Sequence, residues 1–255
     1  MPLPVVLLHG ARTSGTMWRA QLEALERAGR QAVAPDLPGH GRRVQETFTV
    51  DGALEAVGEA VDRVGGRAVV VGLSLGGYLA AAWAARHPEG TAALLLSGCS
   101  TDPDTVLTGA WLQAARVIGH LPDRGAALNQ TLVERALPPE GAADAAAGGF
   151  ALDVMVDLLD AMRALDPRAD LQRFTGPVWF ANGQWDHFRL HERRFLAARP
   201  GARRVVVRGA THLTSLVRPV AFTRVLLELL EEVDPPAVRA AGRQPAGRLA
   251  VSPGR

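Results

Sequence analysis

The chain has 255 residues, 47% of them hydrophobic, with 28 basic residues against 26 acidic ones and a single cysteine, Cys99. That is enough for one sizeable core without a second domain, and one cysteine excludes an internal disulfide framework. Four arginines after Pro236 supply the positive excess; without them 24 bases face 26 acids, so the body is no basic nucleic-acid-binding surface.

The first apolar run, in MPLPVVLLHG, has no basic leader and is too short for a signal peptide. No other stretch approaches the roughly 20 apolar residues of a membrane helix. A cytoplasmic protein is expected, monomeric or dimeric, with a small-molecule substrate and neither nucleic-acid nor membrane partners. Every basic residue other than histidine is arginine, lysine being absent, which reads as coding bias rather than chemistry.

Strands and helices alternate along the chain. Residues 3–10 form a leucine and β-branched run, 17–29 carry helical spacing closed by Gly29, and 31–36 read as a strand. An amphipathic helix over 50–66, a strand over 67–72, a helix over 76–88 ended by Pro88 and a strand over 92–98 follow. Later come a strand at 177–183, a helix at 190–200, a strand at 203–209 and a helix at 220–233. This rhythm, with near-continuously apolar strands, predicts an α/β fold: a mostly parallel sheet with helices on both faces.

Residues 101–175 break the rhythm. They hold no convincing strand, only helical pieces around 108–121 and 150–165 with a linker-like stretch between, and read as a helical lid inserted between core strands. The core is then 1–100 with 176–235. The Arg/Pro/Gly-rich segment 236–255 reads as a disordered tail.

Gly72-Leu73-Ser74-Leu75-Gly76 matches G-x-S-x-G, with a strand before it and a helix after. An abrupt strand-to-helix turn strains its central residue and requires small residues two positions either side, so that the arms can approach. It lifts the Ser74 hydroxyl to the carboxyl end of the sheet and sets the Leu75 N–H at a helix N-terminus, facing a developing oxyanion.

With LLHG after the first strand, DLPGHG at 36–41, the serine turn, NGQWDHF and GATHLTSL, in that order over residues 3–233, the sequence resembles the α/β-hydrolase superfamily. The resemblance implies a nucleophile, acid, base order: Ser74, then Asp186, then His212, which follows the 203–208 strand. His187 and His191 are earlier competitors for the base, and His9 and His40 belong to loops that shape the site. Asp102 and Asp104 stay open as alternatives for the acid. The resemblance also makes the Ala11 N–H the second oxyanion donor beside that of Leu75.

Ser74 excludes the epoxide hydrolase and haloalkane dehalogenase readings of this fold, which need aspartate at the elbow. The sequence has no His-Glu-x-x-His, no Cys-x-x-Cys and no Gly-x-Gly-x-x-Gly at a strand–helix turn, so no metal and no cofactor are expected. The early first strand resembles compact members such as carrier-protein methyl esterases, plant-type methyl esterases, enol-lactonases and the menaquinone-pathway lyase. Trp111, Phe150, Met155 and Trp185 are the expected substrate-pocket residues, with Leu112, Leu158, Leu159 and Met162 as further apolar lid positions. The function implied is hydrolysis of a carboxylic ester, lactone or thioester of an apolar small molecule. The alternatives are C–C bond hydrolysis, cofactor-free lyase chemistry on the same residues, and a non-enzymatic receptor on the same fold.

Overall fold

The computed structural model describes residues 2–234; the expected tail, 236–255, lies outside the described residues. Six parallel strands form one sheet in the order β2-β1-β3-β4-β5-β6. They are β1 (Val5–Leu8), β2 (Ala32–Val33), β3 (Ala68–Leu73), β4 (Thr91–Ser97), β5 (Val178–Gly183) and β6 (Arg203–Val207).

Alternate residues of each central strand feed opposite faces, as the two-residue side-chain period requires. Val6, Leu8, Val70, Leu94, Leu96, Val178 and Phe180 enter one buried cluster, whereas Val5, Leu7, Val69, Val71, Leu95, Trp179 and Ala181 enter the other. Both faces being covered explains why these strands are apolar at nearly every position. The first face is covered by α2 (Val50–Arg63), α3 (Leu75–Arg86) and α9 (Glu192–Ala198), the second by α1 (Arg19–Arg27) and α11 (Pro219–Val233). In α2 the Thr49 side chain caps the Gly52 N–H, and Ala53, Leu54, Val57, Ala60 and Val61 make its buried stripe. α3 is buried along Leu75–Ala84; its alanines and glycines let it lie close to the sheet and its neighbours.

Five helices stand between β4 and β5 where the sequence pattern shows two. They are α4 (Val106–Gly119), α5 (Ala126–Ala136), α6 (Pro139–Ala146), α7 (Met155–Met162) and α8 (Pro167–Arg173). Pro138-Pro139 and Gly141 look like loop punctuation, yet Pro139 occupies the first turn of α6, where a missing N–H costs nothing. α8 starts likewise at Pro167, with Asp166 capping the Ala169 N–H. It packs on α3 and α9 and buries Leu171, and Phe174 just beyond it, in the core, so the end of the inserted stretch belongs to the layer over the sheet. The predicted 31–36 strand pairs only at Ala32 and Val33; Pro35 has no N–H to extend the ladder. No helix among the described residues is long and apolar enough to cross a membrane.

Candidate active site

β3 ends at Leu73 and α3 begins at Leu75, leaving Ser74 alone to make the turn. Its backbone sits at φ 56°, ψ −117°, a region that L-residues rarely occupy. Three hydrogen bonds hold it there: the Ser74 N–H donates to Ser97 O at 2.8 Å, and the Gly77 and Tyr78 N–H groups donate to Ser74 O at 2.9 and 3.2 Å. The flanking glycines are required by space. A β-carbon on Gly72 would lie 2.2 Å from the Gly76 carbonyl oxygen, and one on Gly76 would lie 2.2 Å from that of Leu8.

His212 follows β6 in a turn. Its Nε2 lies 3.1 Å from Ser74 Oγ, and its Nδ1 lies 3.0 Å from Asp186 Oδ1. An ionised carboxylate only accepts, so Nδ1 carries the proton and donates to Asp186, leaving Nε2 free to accept from the serine hydroxyl. The Asp186 side chain is fully buried, and Oδ1 also accepts the Phe188 N–H at 2.8 Å. Burial pushes its carboxyl pKa up. The His212 hydrogen bond and charge, the Phe188 N–H and His187 outweigh that and hold it below the ordinary value. Asp186 Oδ2 is buried without a hydrogen-bond partner among the described residues.

The other candidate acids are used elsewhere. Asp102 accepts from Arg168 Nε at 2.8 Å and lies 3.1 Å from His191 Nδ1, and Asp104 pairs with Arg163. His212 is therefore paired with Asp186, and His191 with Asp102. His187 stands beside the imidazole, ring centroids 5.2 Å apart, and burial together with His212 lowers its pKa.

The loop after β1 lies against the serine turn: the Gly76 N–H donates to His9 O at 3.1 Å, and a β-carbon on Gly10 would come 3.7 Å from Ser74 Cβ. His9 is fully buried. Its Nδ1–H donates to Gly10 O at 2.9 Å while Nε2 accepts the Leu37 N–H at 3.0 Å, so the ring is neutral; burial lowers its pKa to about 3. His40 lies with Nδ1 2.8 Å from Pro38 O and Nε2 2.9 Å from Ala11 O, and as a neutral ring it donates to one of the two. Among the described residues the Ala11 and Leu75 N–H groups donate to no acceptor.

Of the expected pocket residues, Trp111 comes to the rim, its ring parallel to that of His187 at 6.1 Å. Trp185 points away from the packed interior. It is 68% exposed, because the backbone turns after Gln184 and throws its side chain outward. Phe150 packs on the cluster under α1 and α11, and Met155 is half-buried at the start of α7. Leu112, Leu158 and Met162 are buried, and Leu158 and Met162 join the core cluster that α2 and α3 form with the sheet.

Two residues were missed. Phe188 packs its ring 4.6 Å from His212; its only sequence signal is its place two residues after Asp186. Gly98, just past β4 at φ 64°, faces the imidazole so closely that a β-carbon there would lie 2.8 Å from His212 Cε1. Its N–H donates to Asn182 Oδ1 at 2.9 Å, and the Asn182 amide donates to Ser100 Oγ and Glu192 Oε1. The ends of β4 and β5 are thereby fixed together under the histidine. A cavity of about 680 Å³ lies between α1, β2 and α6 and is lined by none of these residues.

A model of the alpha/beta hydrolase family matches residues 5–225. Lipase LipV of Mycobacterium tuberculosis is 36% identical over 111 residues, 43% of this chain and 40% of that protein. The pimeloyl-[acyl-carrier protein] methyl ester esterase of Neisseria meningitidis serogroup A is 28% identical over 237 residues, 84% of this chain and 73% of that protein. Several curated relatives are matched over only 34 to 48% of their own length. A thermophilic esterase from Thermogutta terrifontis shares the fold, with a TM-score of 0.76 at 24% identity, covering 91% of this chain and 90% of that one. The family match runs from the first strand into the last helix, over a sheet and serine turn of the kind the sequence motifs imply: the chain belongs to the alpha/beta hydrolase family.

Proposed function

We propose that the protein is a serine hydrolase that cleaves a carboxylic ester, lactone or thioester of a small molecule. The observation that carries this is the strained Ser74 turn, with its hydroxyl 3.1 Å from a histidine whose other nitrogen is held by a buried carboxylate. A free serine hydroxyl is a weak nucleophile at neutral pH, and that arrangement supplies the base it lacks.

Ser74 Oγ attacks the acyl carbon as His212 Nε2 takes its proton. Charge gathers on the carbonyl oxygen, where the free N–H groups of Ala11 and Leu75 receive it. Asp186 keeps the imidazole in the Nδ1–H tautomer and stabilises the imidazolium. Collapse of the adduct expels the alcohol or thiol, which takes the proton from His212. Water then attacks the acyl-serine by the same relay, releasing the acid and restoring Ser74. Trp111 and Phe188 supply an apolar wall beside the imidazole, and the inserted helices act as a lid over the site. The relative from Neisseria, named for methyl ester hydrolysis, supports the ester over other bonds.

The test is turnover of 4-nitrophenyl butyrate together with labelling by a fluorophosphonate. Ser74→Ala is expected to lose both, by about 10³-fold or more in kcat. Undiminished turnover in Ser74→Ala, or a label on another residue, overturns the assignment.

A further inference from the structure

Arg12 follows Ala11 directly, and its guanidinium crosses from the β1 loop to the inserted helices. Nη1–H donates to Asn129 Oδ1 on α5 at 3.0 Å. That is its one side-chain hydrogen bond among the described residues, although a guanidinium carries five N–H donors. No carboxylate among them pairs with it, and burial pulls its pKa below the ordinary arginine value with no opposing influence. Arg30, Arg43 and Arg189, also partly buried, are neutralised by Asp234, Glu46 and Glu192, whereas Arg199 donates to the carbonyl oxygens of Thr175 and Gly176; Arg12 has one amide oxygen. A largely desolvated cation without a counter-charge is costly, so its persistence beside the serine turn asks for an anion from outside the chain.

Asn129 points the same way. It is 4% exposed, its oxygen is taken by Arg12, and its Nδ2 is buried without a partner. Flipping the amide would set its N–H groups against those of Arg12, so the network fixes this orientation. Spare guanidinium N–H groups and an orphaned amide N–H thus come together with no acceptor between them. A planar, acceptor-only group with two oxygens matches that set. One trans peptide, about 3.8 Å between Cα atoms, separates Arg12 from Ala11, so the set is rooted in the loop that carries the proposed Ala11 donor.

We infer that Arg12 and Asn129 form a receptor for a free carboxylate on the substrate's acyl chain, so that the preferred substrates are half-esters of short dicarboxylic acids. This rests on the ester-hydrolase reading and narrows its substrate class. The expected apolar substrate becomes one with an apolar middle and an acidic end.

The experiment compares kcat/KM for 4-nitrophenyl hydrogen glutarate and 4-nitrophenyl butyrate. The wild-type ratio is expected to favour the glutarate half-ester by 10-fold or more. Arg12→Gln is expected to lower that ratio at least 10-fold, mainly through KM. Asn129→Asp supplies the missing anion internally; it is expected to lower the ratio similarly while raising Tm, and it covers the case in which Arg12→Gln fails to fold. A wild-type ratio near one, or a ratio that Asn129→Asp leaves unmoved, overturns the proposal. A second arm needs no turnover: glutarate is expected to raise the Tm of Ser74→Ala protein but not of Ser74→Ala/Asn129→Asp. Equal stabilisation by inorganic phosphate at the same concentration overturns the carboxylate assignment. Loss of all Ser74-dependent turnover with glutarate binding intact would strike the hydrolase reading and leave the receptor standing.

Discussion

Gly98→Ala isolates the geometry of the imidazole in a single methyl group. The added β-carbon would lie 2.8 Å from His212 Cε1 and 3.0 Å from Nδ1, where ordinary contacts begin at 3.4 Å, so the ring must retreat by about 0.6 Å. The bonds it would disturb are the 3.0 Å contact to Asp186 and the 3.1 Å contact to Ser74, both already at the long end of useful proton-transfer distances. A misplacement of 1 Å costs on the order of 10²-fold, so we expect kcat on 4-nitrophenyl butyrate to fall between about 10- and 100-fold. The backbone exacts a separate, smaller penalty: alanine at φ 64° costs about 1 kcal/mol, a Tm loss of about 2–4 °C for a chain of this size. Gly29→Ala is the control, since Gly29 has φ 67° and nothing within 4 Å of its would-be β-carbon. Both variants are expected to lose similar stability, and only Gly98→Ala to lose rate. Equal kcat in the two would refute the claim that the imidazole is wedged against position 98.

Two further outcomes follow from strain and burial. Ser74→Gly relieves a backbone that glycine adopts freely; it is expected to raise Tm by about 2–4 °C, roughly 1 kcal/mol, while abolishing ester turnover, and a lower Tm would mean that the turn stores no strain. His9 accepts a proton near pH 6.5 when unfolded but only near pH 3 when folded, so stability is complete above about pH 6.5 and falls as pH drops toward 3. At about 1.4 kcal/mol per pH unit, moving from pH 7 to pH 5 costs about 2 kcal/mol. Buried His40 shifts the same way, whereas the depressed Asp186 carboxylate enters only below its unfolded range, near pH 4. Urea unfolding at the two pH values measures this, and a flat stability between them contradicts the burial of a neutral His9.

The parts of the fold that were legible are those where one local rule decides. Strands buried on both faces leave continuous apolar runs, and the serine turn leaves glycines at fixed offsets because backbone atoms approach to contact distance. The inserted helices obey weaker rules. α5, with Asn129, Gln130 and Thr131 at its centre, has little amphipathic pattern, and α6 begins in prolines and glycine that imitate a loop. Around the site, the pattern placed Asp186 but not the path of the chain after it. A short 3-10 turn at His187–Arg189 brings His187 and Phe188 against His212, leaving Trp185 in solvent. Arg12 was visible as a residue, but its meaning depends on Asn129, 117 positions away.

The requirement at position 98 has an origin in the topology. Every strand of a parallel sheet ends on the same edge, so the loops after β1, β3, β4, β5 and β6 share one rim. The serine follows β3 and the histidine follows β6, three strand spacings away, or about 14 Å. To bring Nε2 within 3.1 Å of the hydroxyl, the histidine loop must lean back across the ends of β5 and β4. β5, the nearer strand, carries the carboxylate that holds Nδ1. β4, the next, offers nothing to bond and stands directly beneath the ring, so its end must be bare. A glycine there, anchored by its N–H to Asn182 of β5, lets the imidazole pass and stops the rim from spreading. A side chain at that point would push the imidazole away from Ser74 and Asp186 even with all three residues intact.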